Sequence, residues 1–163
     1  RGKPKAGTKI KPAFSSQSAA GKVSFFYGPG MHNIDTMSLA DPLLSHLPQQ
    51  KDVFMPDHNI RSLPLGYVES LLVNDNLIQD EHLRDFYNKV LLIRRGPIWS
   101  VERFIAIFKM HTGGYQELIN NYDDSNAISD LDKYIASKNT IEGYRVTYCP
   151  KKFEKYKLLC LVK

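Results

Sequence analysis

Apolar residues along this chain fall into short groups of two kinds, and their spacing predicts an α+β fold. Val23–Tyr27 (VSFFY), Lys89–Arg95 (KVLLIRR), Tyr144–Cys149 and Tyr156–Val162 have strand length and are bounded by turn residues or charges. The run at 89–95, continuously apolar between charged ends, reads as a central strand. The last two, joined by the basic connection Pro150–Lys155, read as a terminal hairpin. Helical spacing lies between them. Leu65, Val68, Leu71 and Leu72 share one face. Asn76, with Gln79 three residues on, has the form of a capping box for a second helix with Ile78, His82 and Phe86 on its inner face.

The strongest helical signal follows. Ser100 is a good N-cap, Glu102 suits the first turn, and Val101, Phe104, Ile105 and Phe108 make an apolar stripe. Lys109 and His111 suit its last turn, and Gly113-Gly114 is a natural stop. A further helix is expected from about 127 to 138 on Ile128, Leu131 and Ile135. Together these elements predict a small mixed β-sheet of about four strands packed with helices. The stripe of Val101, Phe104, Ile105 and Phe108 should then bury itself against the strand that holds Leu91 and Ile93. Residues 31–64, marked by Pro42, Pro48, Pro56 and Pro64, read as a short helix around 36–47 followed by an extended wrapping segment.

Charge changes this picture at the N-terminus. Residues 1–22 carry Arg1, Lys3, Lys5, Lys9, Lys11 and Lys22 and no acid, so the rest of the chain is near neutral although the whole has a net charge of +5. With Gly2, Pro4, Gly7, Pro12 and the small polar run at 15–20, this arm is expected to be extended and to lie on a partner. The domain proper is then 23–163, within the size of a single domain for a chain of 163 residues. Lysines at this spacing suit phosphates, and Lys151, Lys152, Lys155 and Lys157, interleaved with Tyr148, Phe153 and Tyr156, suit phosphates and stacked bases. Arg94-Arg95 completes the expected set of nucleic-acid or partner contacts.

Catalytic chemistry has no comparable signal. The five histidines are scattered and none is in an HExxH spacing. There is no GxSxG elbow, and Gly28-Pro29-Gly30 lacks the Gly-Lys-Ser/Thr of a phosphate loop and loses an N–H donor at its proline. Asp123-Asp124 lies in a polar loop. Cys149 and Cys160 fall in two expected strands, where a disulfide is geometrically conceivable, but they read as buried free thiols of a reducing, intracellular compartment; no zinc spacing accompanies them. The sequence therefore predicts no enzyme, no cofactor and no metal. The longest apolar runs have strand length, so no membrane span is expected.

Lys89 to Tyr115 resembles the opening of a BRCT domain: an apolar strand, an amphipathic helix, then Gly-Gly. That resemblance implies binding of phosphopeptides or protein partners. The tryptophan of that family's last helix has no counterpart here, because the only tryptophan is Trp99. The arm favours another function: a non-enzymatic structural subunit of a large assembly, a ribosome-like ribonucleoprotein, with RNA and neighbouring protein subunits as partners. A mitochondrial particle would account for a chain that starts at Arg1 through removal of a presequence. The alternatives are a BRCT-like binding module of signalling or chromatin and an accessory subunit of a protein-only complex.

Overall fold

The computed structural model describes residues 10–12, 34–49, 60–129, 133–134, 137–138, 140–141, 144–148 and 159–162. The chain forms two compact units, Pro42–Ser129 and one made of residues 1–41 with 130–163.

The Pro42–Ser129 unit is helical. Its elements are a single 3-10 turn, Leu44–His46, and four helices: α1 (Tyr67–Val73), α2 (Glu81–Arg95), α3 (Val101–His111) and α4 (Gln116–Asn120). Among its described residues it contains no sheet, and their only strand-like pairing is a bridge between Leu63 and Ile128. This overturns the expected mixed sheet packed with helices. The residues that were to supply its central strand, Lys89–Arg95, are the last two turns of α2. The reason lies upstream. Leu83, Phe86, Tyr87 and Val90 recur at i, i+3, i+4 and i+7, all buried, so the stripe that starts the helix carries it through the VLLI run. The strand on which the BRCT resemblance rests is therefore absent.

Capping sets where α2 begins. Asp80, not Asn76, is its N-cap: Asp80 Oδ1 accepts from the Leu83 N–H at 2.7 Å. Asn76 instead braces the loop before the helix, its Nδ2 donating to Arg84 O and to Asn88 Oδ1 at 2.8 Å each. His82 points outward and is exposed, not part of the inner face. The core is built from α1 and α2 with Leu43, Leu44, Leu47, Leu63, Ile78 and Ile119. Tyr67 and Tyr87 meet edge to face at 5.5 Å between centroids.

His46 stands at the edge of this core, exposed on its outer side, with its ring edge-on to Phe86 at 5.4 Å. Partial burial lowers its pKa, because the charged ring loses water without gaining a counter-charge. The unfolded chain then takes up the proton first as pH falls below about 6.5. Stability is expected to decline from there toward the lower folded-state pKa. Urea unfolding at pH 7.5 and pH 5.5 checks this: His46→Phe should lose less stability over that interval than the parent, and an identical loss would remove His46 as the cause.

In the other unit the described strands are β1 (Ile10–Pro12), β2 (Thr140–Ile141), β3 (Tyr144–Tyr148) and β4 (Leu159–Val162). They pair antiparallel throughout, in the order β1-β4-β3-β2. Ile10–Pro12 thus pairs with the chain's own β4, against the expectation that the arm lies on a partner and not on its own body; Pro12 is tolerated because β1 is an edge strand among the described strands. Val23–Tyr27 lies outside the described residues; of the helix expected from about 127 to 138, Ile128 stands instead in the bridge to Leu63, residues 133–134 and 137 are helical, and Leu131 and Ile135 lie outside the described residues. The helix expected around 36–47 is reduced to the Leu44–His46 turn. At its start the Asp35 carboxylate accepts from the N–H groups of Met37 at 3.1 Å and Ala40 at 2.9 Å, which holds a turn with Ser38 at φ 63°.

Candidate functional site

The α3 helix forms where its sequence places it. Ser100 Oγ accepts from the Arg103 N–H at 3.2 Å, and the helix stops before Gly113, which is left-handed at φ 75°. Its orientation is the reverse of the expectation. Ala106 is its buried residue, while Val101, Phe104, Ile105 and Phe108 are 68%, 51%, 50% and 68% exposed. They therefore do not pack against Leu91 and Ile93, which are themselves only half-buried on a helix. α3 packs on α2, and its one buried residue is the small Ala106. The stripe of four large side chains faces water.

The turn before α3 extends this surface. Ile98 is 67% and Trp99 84% exposed. The Trp99 indole leans toward the Phe104 ring, with centroids 6.4 Å apart and the planes tilted by 38°. Six large apolar residues between positions 98 and 108 thus make one continuous face on a three-turn helix and its leading turn. Covering a fully exposed side chain of this size yields about 1.5–3 kcal/mol, so a contiguous group of this kind marks an interaction surface.

Basic residues stand at both ends of the face. Arg94 and Arg95 close α2 just before Ile98, and both are exposed. Arg95 Nη1 donates to Asn74 Oδ1, which fixes it at the end of α2. Lys109 and His111 lie in the last turn of α3, and Lys109 Nζ sits 5.9 Å from the centroid of the Tyr115 ring. Arg103 turns to the inner side, its Nη1 donating to Gly96 O at 3.3 Å. Glu102 is the single acidic residue between Arg94 and Tyr115.

Of the contact residues expected from sequence, Arg94 and Arg95 are the exposed last two residues of α2, a few positions before Ile98. Lys11 lies in β1, and Arg1, Lys3, Lys5, Lys9, Lys22, Lys151, Lys152, Lys155 and Lys157 lie outside the described residues. Cys149 is also outside them, and Cys160 stands in β4.

A concavity of about 240 Å³ is lined by Pro64, Gln79, Asp80, Tyr122 and Asp123 among others. Burial, then Asp124, Asp80 and Asp123, raise the Tyr122 phenol well above its usual range. Two of these carboxylates, Asp80 and Asp123, are already occupied. Asp80 caps α2, and Asp123 accepts from the Ser125 N–H and hydroxyl at 2.9 Å each, which holds its own pKa low. Among the described residues no group of three His, Cys, Asp or Glu side chains is placed to hold a metal. No described helix is long and apolar enough to cross a membrane.

No protein-family model, curated protein or solved structure matches the chain.

Proposed function

We propose that this chain is a non-enzymatic subunit of a larger assembly and docks through the apolar face of Ile98, Trp99 and α3. The exposure of all six large apolar residues carries this reading. The six basic residues of positions 1–22, without an acid among them, favour a ribonucleoprotein as the setting. Phosphopeptide recognition has less support, because the strand behind the BRCT resemblance is helical.

The docking reading separates stability from assembly. Phe104→Ala is expected to cost under about 1 kcal/mol, since surface truncations leave no cavity. Phe104→Ser/Phe108→Ser should keep its far-UV circular dichroism and melt close to the parent, yet move from the fast-sedimenting to the slow fraction of a native extract. Retention of the folded double variant in the fast fraction would sink the docking role. Ribonuclease treatment of the parent fraction should release the chain if RNA holds the particle together; release only by detergent or high salt would favour a protein-only complex.

A further inference from the structure

We infer that the segment docking on this face is an acidic amphipathic helix of a partner protein. The inference rests on the docking reading and adds the chemistry of the occupant. Val101, Phe104, Ile105 and Phe108 stand at i, i+3, i+4 and i+7, the pattern by which one helix receives another. At 11 residues, α3 spans roughly 16 Å, or three turns, at about 1.5 Å per residue. Trp99, the most exposed large apolar residue of the face, is suited to serve as an anchor at its leading end.

Charge selects among occupants. Arg94 and Arg95 precede the stripe in the chain and Lys109 and His111 close it, and between positions 94 and 115 Glu102 is the single acidic residue. All four sit in last helical turns, where the helix dipole favours cations. The dipole accounts for their position but leaves the rim basic. A second copy of the chain fits poorly. Antiparallel pairing of two α3 helices would set Arg94 and Arg95 against Lys109, and parallel pairing would set like residues against each other. A helix with carboxylates flanking its apolar stripe satisfies both ends at once. An anionic bilayer would share the charge preference and accept the same apolar stripe, so vesicles are one of the outcomes that overturn the inference.

The chain's single tryptophan makes this testable, because Trp99 emission reports the face directly. The probes are two tryptophan-free designed peptides of four helical turns. Each carries leucines at i, i+3, i+4 and i+7, flanked by glutamates in one and by lysines in the other. Added to the full chain at low salt, the glutamate peptide should blue-shift Trp99 emission and bind at least tenfold tighter than the lysine peptide. The margin should narrow as salt rises. Arg94→Glu/Lys109→Glu should reverse the preference, and Phe104→Ser/Phe108→Ser should weaken both peptides tenfold or more. Equal affinity for the two peptides overturns the inference. So does a blue shift produced by phosphatidylserine vesicles or by single-stranded RNA in place of the acidic peptide, or a self-associated chain whose Trp99 is already buried. If the serine double variant leaves the native particle while the peptides bind equally, only the acidic-helix inference fails. If it stays in the particle and neither peptide shifts Trp99, the docking reading fails with it.

Discussion

Phe86→Ala is expected to lower the unfolding free energy by about 3–5 kcal/mol, the range for truncating a fully buried phenylalanine. Phe86 has no exposed surface and lies on α2 between Leu83 and Val90, with the His46 ring edge-on at 5.4 Å. Its removal leaves a cavity between α2 and the Leu44–His46 turn. Backbone on both sides limits collapse. Against a total stability of about 5–15 kcal/mol, that is a large share. Urea unfolding followed by circular dichroism, with Phe104→Ala alongside, is the measurement. The two substitutions remove the same atoms from one protein, so a loss at Phe86 no larger than that at Phe104 would mean that the inner and outer helix faces are misassigned.

Gly66→Ala should be the second severe change. Gly66 precedes α1 at φ 85°, a left-handed conformation that costs an L-residue about 1–2 kcal/mol. A Cβ there would lie 1.9 Å from Leu77 O and 2.7 Å from Leu77 C, which are backbone atoms with no rotamer to yield. The approach is held on purpose: Ser70 Oγ donates to Gly66 O at 2.6 Å and accepts from the Leu77 N–H at 2.8 Å, and the Gln79 N–H donates to Leu65 O at 3.1 Å. Separating these segments would break that clamp, so the total cost is expected to be about 2–4 kcal/mol or more. Thermal melting would show it as a markedly lowered midpoint. A melt within a degree or two of the parent would mean that the loop 74–80 does not pack on the start of α1.

Local chemistry was legible where one residue decides it. Ser100 as N-cap and Gly113 as the stop of α3 follow from side-chain hydrogen bonding and from a positive φ, and both hold in the structure. The run at 89–95 was legible only as apolar. Four consecutive apolar residues satisfy a strand and a buried helix equally. Reading the stripe from Leu83 through Val90 as one helical pattern would have joined them.

The sequence by itself determined the extent of α3, its apolar stripe, the basic bias of residues 1–22 and the cations around positions 94–95 and 109–111. Those are set by side chains a few residues apart. Only the tertiary structure decided which side of α3 is inside. Both sides offer apolar contact, and periodicity names the larger stripe as the core. The buried side of α3 is instead the one with the small Ala106, and Lys89–Arg95, the expected strand for the phenylalanines, is helix. The same stripe that reads as a core from the sequence is thereby turned into the exposed face on which the proposed function rests.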